Sequence, residues 1–325
     1  MPCAKLHAAI LALMLGACAS IPAAPAQDSL QQDSLAARIT QIDRSTVWRP
    51  ASEMPVTFDT HHPQGMVRFG GDMLVTSVEI LRPTKRYSQP AGGLDRDAGE
   101  GRGHLFRIAP DGSLKASITL GEGDAYHPGG LDFDGRWLWI PVAEYRPDSR
   151  SIIYRVDPAT LEATEAFRVP DHIGTIAFDR EANALIGASW SGGRIYRWPL
   201  QADGTVRPAD LAAPPAGKAR SHYIAWQDCH GLPGRRMLCT GLSTYSRPGS
   251  GASLSLGGVE LVDLVTLRPL WQAPITLWSP TGRAMTQNPA WFEATERGLR
   301  AWFMPDDDSS TLFVYDVETP TGTRP

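Results

Sequence analysis

Four histidines and one asparagine open five stretches of similar composition. They are His62-Pro63-Gln64-Gly65-Met66, His127-Pro128-Gly129-Gly130-Leu131, His172-Ile173-Gly174-Thr175-Ile176, His222-Tyr223-Ile224-Ala225-Trp226 and Asn288-Pro289-Ala290-Trp291-Phe292. A second set follows at a fixed distance, because His62 to Glu79, His127 to Glu144 and His172 to Ser189 are each 17 residues apart. An insertion delays the fourth equivalent to about Ser243, and the fifth is Asp306. Imidazoles and carboxylates gathered in one place support three readings. In the first, His62, His127, His172 and His222 ligate a divalent transition metal, with Glu79 and Glu144 orienting the rings from behind. A metal so held can polarise a substrate or activate water, which makes a hydrolase or lyase with Glu144 or Glu79 as base. In the second, no metal is needed: the same groups hydrogen-bond a small polar ligand, helped by Asn288 and Asp306 and by charge-assisted contacts from Arg82, Arg86 and Arg146. In the third, each His ties one repeat to the next and has no ligand.

Each opening residue leads into a short strand, a turn and a second apolar strand, such as Met73 to Val78 or Trp137 to Ala143. A third strand follows in every copy, for example Ile152-Ile153-Tyr154-Arg155-Val156. In the first four copies a turn at Asp111-Gly112, Asp157-Pro158, Asp203-Gly204 or Asp263-Leu264 then leads to a fourth. Four antiparallel strands repeated every 45–66 residues predict an all-β fold, a β-propeller of five blades. The fifth copy stops after its third strand. Its missing strand is expected in Thr46 to Phe58, so the N-terminal strand closes the last blade and removes two exposed edges. A six- or seven-bladed ring has no unassigned stretch to draw on. The breakers agree with short strands and many turns, since the chain of 325 residues holds 31 Gly and 27 Pro. In a propeller the five opening residues fall at equivalent places, where the outer strand of one blade crosses to the inner strand of the next. They therefore form a ring at one mouth of the central channel, with Trp190 and Trp291 nearby. A net charge of −4 shows no footprint for nucleic acid.

The propeller pattern, His-Pro-Gly-Gly-Leu and Tyr145-Arg146-Pro147 together resemble an uncharacterised bacterial and fungal family known only as a domain of unknown function. Further matching stretches are Arg82-Pro83-Thr84-Lys85-Arg86-Tyr87, Ser221-His222-Tyr223, Arg236-Met237-Leu238-Cys239-Thr240-Gly241 and Phe303-Met304-Pro305. The likeness runs from about Thr60 to Val317. It implies the architecture and no activity.

The N-terminus reads as an address. Lys5 precedes an apolar run from Ala8 to Leu15, far short of the roughly 20 helical residues that cross a bilayer but suited to a signal peptide. Leu15-Gly16-Ala17-Cys18 resembles the bacterial lipobox, which implies lipidation of Cys18. Ala19 in place of Asp then implies an outer-membrane destination. An ordinary secretory signal cut near Ala17 or Ala26 is the alternative. The expected organisation is signal 1–17, lipidated Cys and flexible tether 18–45, one propeller 46–319 and a tail 320–325. Expected partners are a small polar ligand or an envelope protein, with the membrane engaged only through the anchor and the protein a monomer. Cys229 and Cys239 flank the turn signal His230-Gly231-Leu232-Pro233-Gly234 and so face each other across a hairpin. Export permits a disulfide there; two free thiols and zinc ligation with His230 are the other readings. The run Asp306-Asp307-Asp308 reads as a solvated loop in preference to a calcium site.

Overall fold

The computed structural model describes residues 35–319 apart from 222, 247, 250 and 252. Signal, Cys18, most of the tether, His222 and the tail lie outside the described residues. Five antiparallel sheets form the blades of a propeller, each running from an inner strand at the axis to an outer edge. Blade one comprises His62–Phe69, Asp72–Arg82, Glu100–Ile108 and Leu114–Leu120. Between its second and third strands a small ribbon, Arg86–Ala91 with Leu94–Arg96, rises above the sheet. Blade two has an inner strand in two pieces, Ala125–Pro128 and Asp132–Phe133, followed by Leu138–Glu144, Ser151–Val156 and Ala163–Val169. Blade three is Ile173–Asp179, Ala184–Ser189 and Ile195–Pro199; blade four is Ala225–Leu232, Arg236–Ser246, Ser253–Asp263 and Arg268–Ile275.

Blade five closes as expected. Ala290–Thr295, Gly298–Phe303 and Thr311–Glu318 are joined by the N-terminal strand Arg49–Pro55, which pairs with Thr311–Glu318 from Arg49↔Asp316 to Pro55↔Thr311. Five hydrophobic clusters fill the five spaces between blades, which is the physical sense in which the ring is complete. Leu74 and Leu105 meet Leu138 and Ile140 between blades one and two. Ile153 and Phe167 meet Ile176 and Trp198 next. Ile186 and Ile195 meet Trp226 and Met237 after that, and Leu261 and Ile275 meet Phe292 and Phe303. Met66 and Phe106 meet Met304 and Leu312 at the closure.

Two expectations need correction. Blade three has no regular fourth strand: Pro208, Pro214 and Pro215 cannot donate to a ladder, and the segment meets the sheet edge through the isolated bridges Leu200↔Val206 and Ile195↔Gly217. The folded unit also begins earlier than residue 46. A helical turn over residues 35–39 and the chain after it bury Leu35, Ala36, Ile39 and Ile42 against blades four and five. Arg38 Nη1 donates to Thr319 Oγ1 at 2.8 Å, and Trp271 Nε1 donates to the Ile42 carbonyl at 3.1 Å.

Cys229 and Cys239 are a directly opposed cross-strand pair and form a disulfide, so zinc ligation by these sulfurs does not arise. At the axis the inner strands approach too closely for side chains. A Cβ on Gly129 would collide with the Gly174 carbonyl, and one on Gly130 with the Thr175 hydroxyl and the Asp228 carboxylate. A buried charge cluster then pins all five blades. Asp228 accepts from Met66 N at 2.9 Å, and Asp132 accepts from Phe178 N and Gly231 N, each at 2.8 Å. His230 lies 3.4 Å from Asp228, 3.6 Å from Asp132 and 3.3 Å from the Ala290 carbonyl. Burial opposes charge on His230, but the two carboxylates outweigh it and raise its pKa to about 10.

Candidate functional site

His62, His172 and Asn288 lie at or just before the starts of their inner strands, His127 lies near the end of the first piece of its own, and the second strands end beside them. The antiparallel registers make this explicit: His62↔Val78, Ala143↔His127, Ile173↔Ser189 and Ala290↔Phe303. The fourth histidine, His222, falls outside the described residues.

His127 is buried and stacks on Tyr145, with ring centroids 4.2 Å apart and an interplanar angle of 17°. Tyr145 in turn stacks on Trp190 at 5.9 Å, and Trp190 packs edge-on against His172 at 4.7 Å. His127 and His172 are 5.9 Å apart, so four rings from blades two and three make one aromatic wall. The Arg96 guanidinium, carried on the ribbon of blade one, sits 5.4 Å over the Trp190 ring. On the opposite side His62 Nδ1 donates to Asp307 at 2.7 Å, Asn288 Nδ2 donates to the same carboxylate oxygen at 2.9 Å, and Arg283 lies 3.2 Å from Asp307.

The electrostatics follow from burial. Loss of water, with His172 and His62 nearby, pushes His127 well below the ordinary histidine value. Burial lowers His172 to about 4. Both rings are therefore neutral at pH 7. His172 Nδ1 faces the Glu144 carbonyl at 2.8 Å; a carbonyl only accepts, so Nδ1 carries the proton and Nε2 is left as an acceptor. His127 is the unusual member, since both of its ring nitrogens are buried without a hydrogen-bond partner among the described residues. Asn288 Oδ1 is likewise buried and unpartnered among those residues. Burial raises the pKa of Asp307, but hydrogen bonds from His62 and Asn288 outweigh it and keep the carboxyl below its ordinary value.

The carboxylates singled out by spacing do other work. Glu144 is clamped by Arg146, with Nε and Nη2 each 2.6 Å away, and by Arg150 at 2.5 Å, and it touches His172 only through its backbone carbonyl. Glu79 turns away from His62 to meet His104 and Arg102, each at 3.3 Å. Asp306 accepts from Ser279 Oγ at 2.9 Å and from Thr281, and Ser189 Oγ accepts from Arg194 N at 2.8 Å. Ser243 donates to the Tyr223 carbonyl. Among the arginines, Arg82 is paired with Asp97 and Glu100, Arg86 with Asp95, and Arg146 with Glu144. Trp291 packs on His230 at 4.7 Å, at the axial cluster.

The residues that do meet the ring are Tyr145, Trp190 and Asp307, each one position after Glu144, Ser189 and Asp306. Arg96 and Arg283 complete the wall. Tyr145 stands in the Tyr-Arg-Pro stretch noted above. Nothing in the spacing marks Arg96, because a ribbon inserted in one blade carries it to another.

Solved structures of low sequence identity are similar to this chain in part. A luciferin-regenerating enzyme is 8% identical at a TM-score of 0.46, with 86% of this chain and 99% of that one covered. A gluconolactonase from Xanthomonas campestris is 12% identical at 0.43, with 84% and 98% covered. Hydrazine synthase from Kuenenia stuttgartiensis is 11% identical at 0.35, with 78% of this chain covered and only 58% of that one. No curated protein matches the chain in sequence. A family model does match, across residues 19–320, and the chain belongs to that family of unknown function, DUF6454.

Proposed function

We propose that this propeller is exported, anchored by lipid at Cys18, and binds a small polar ligand at the mouth built by His62, His127, His172, Tyr145, Trp190, Arg96 and Asp307. One observation carries the binding reading: His127 is stacked on Tyr145 with both ring nitrogens buried and unpaired among the described residues. Leaving a buried polar group unpaired costs roughly 1–3 kcal/mol, a cost that a ligand with hydroxyl or carbonyl groups removes on binding. Neutral imidazoles both donate and accept, Asn288 Oδ1 accepts, and Arg96 and Arg283, already paired with Asp95 and Asp307, retain further N–H donors for a polar ligand. The clamped carboxylate of Glu144 favours binding over general-base chemistry at that residue. Export is supported by the lipobox-like Leu15-Gly16-Ala17-Cys18 and by the disulfide, which an oxidising compartment permits.

The test is a thermal-shift screen of the mature chain against small polyols, carboxylic acids and amino acids, repeated on His127→Phe and Arg96→Ala. Stabilisation of the wild type that disappears in both variants is expected. Stabilisation that survives in both would remove the ligand from the mouth. Labelled palmitate should enter the wild type and not Cys18→Ser; labelling of neither points to an ordinary secretory signal.

A second reading, a scaffold for an envelope protein, rests on the long hairpin of blade four. Tyr245 and Leu254 pair at its far end and are 50% and 56% exposed, with Trp278 beside them at 40%. Crosslinking that depends on Tyr245 and Leu254 and is indifferent to His127→Phe would select it.

A further inference from the structure

His62 and Asp307 face the mouth, while their chain neighbours His61 and Asp308 build something else. His61 holds a left-handed backbone, φ 54°, which is costly for a residue with a Cβ. It is fixed there from both sides: Asp59 Oδ1 accepts its N–H at 2.9 Å, and Asp308 N donates to its carbonyl at 2.6 Å. The result places the His61 ring on that of His104, with centroids 5.1 Å apart and 25° between planes; His104 is backed by Phe106 at 5.2 Å. Glu79 Oε2 lies 3.3 Å from His104 Nε2. One ligating atom from each of His61, Glu79 and His104 falls within 4.8 Å of the other two.

We propose that His61, Glu79 and His104 bind a divalent transition metal of the zinc class. Two imidazoles and a carboxylate are the donors such ions take, and three protein ligands leave a position open for water. The spacing agrees. Ligands about 2.0–2.1 Å from a tetrahedral ion stand roughly 3.3–3.4 Å apart, and Glu79 and His104 already do. A carboxylate also stands where an outer contact would form, on the other nitrogen of a metal-bound imidazole. Asp59 Oδ1 sits 3.4 Å from His61 Nδ1, which leaves Nε2 for the ion. The side chains of His61, Glu79 and His104 are 23%, 24% and 15% exposed, so an ion can enter from solvent. Arg102 now lies 3.3 Å from Glu79 and must swing out; at 58% exposure it has room to do so. An ion pair alone would use one histidine. The second histidine, held on a left-handed backbone, supplies the third donor.

The site is independent of the mouth, and cobalt distinguishes the two. The mature chain, prepared without a histidine tag and stripped with chelator, is titrated with Co2+ and then with Zn2+. One equivalent of Co2+ should give visible d–d absorption that Zn2+ abolishes. Affinity should fall at least tenfold in His104→Gln and in Glu79→Gln, and about tenfold in Asp59→Asn. The apo variants should melt near the wild-type temperature, and His127→Phe should bind cobalt like the wild type. The proposal is overturned if the wild type takes up no stoichiometric cobalt, or if His104→Gln and Glu79→Gln both bind it unchanged. Loss of cobalt in His127→Phe with retention in His104→Gln would overturn it too, by placing the metal on the mouth ring.

Discussion

The ring of His127 lies flat on that of Tyr145, 4.2 Å between centroids, and neither of its nitrogens finds a partner among the described residues. Stacking and polar satisfaction thus pull apart at one residue. Phenylalanine would keep the first and remove the need for the second. His127→Phe is therefore expected to raise the unfolding free energy of the ligand-free protein by about 1 kcal/mol, measured in guanidinium. A histidine serving only to tie blades together would instead lose stability on this change.

The ring was legible in the sequence because the opening residues recur with the blade, and the closing strand because the fifth copy is visibly one strand short. The second set was misread by one residue in three blades: Tyr145, Trp190 and Asp307 face the ring where the spacing pointed to Glu144, Ser189 and Asp306. Successive residues of a strand point to opposite sides, so a slip of one exchanges every side chain. Counting from the histidines cannot see the irregularities in blades two and three, between Ala143 and Glu144 and between Ile173 and Thr175, nor that Asp307 lies in the loop beyond its regularly paired strand. The axial cluster of Asp132, Asp228 and His230 was not legible at all, since it is made by strands from different blades. The helical turn at residues 35–39 does have a signal, for Leu35, Ile39 and Ile42 recur at helical spacing.

His172 gives the protein an acid limb. Its pKa is about 4 when folded, and an unfolded histidine titrates near 6.5. Between these values the unfolded chain binds a proton that the folded one refuses, so stability is complete above about pH 6.5 and falls as pH drops toward 4. His127 is depressed by the same burial and acts in the same direction. Denaturant titrations at about pH 7 and pH 4.5 should show the loss, and His172→Gln should make it shallower. Equal slopes in the two proteins would mean that His172 does not set the limb.

At the axis the sign reverses. His230 is raised to about 10 by Asp228 and Asp132, so its contribution is complete below about pH 6.5 and is lost as pH rises through 10. Burial raises Asp228, an effect His230 partly offsets, and this too lowers stability as pH increases. The wild type should lose stability between about pH 7 and pH 10, and His230→Gln should lose less. Asp228→Asn keeps an acceptor for Met66 N but leaves the imidazolium only Asp132 as a counter-charge, and should cost about 3 kcal/mol at neutral pH.

The start of the folded unit can be tested by truncation. Leu35, Ala36, Ile39 and Ile42 are at most 5% exposed and sit in the cluster between blades four and five, beside Trp271 and Phe303. Burying an aliphatic side chain is worth roughly 1.5–3 kcal/mol each, against about 1–2 kcal/mol per residue to order the backbone. A chain beginning at Leu35 should therefore unfold at the same denaturant concentration as one beginning at Cys18. A chain beginning at Thr46 should be less stable by about 3 kcal/mol, because it also uncovers the apolar surface on which the segment rests. Equal midpoints for all three would return residues 35–45 to the tether.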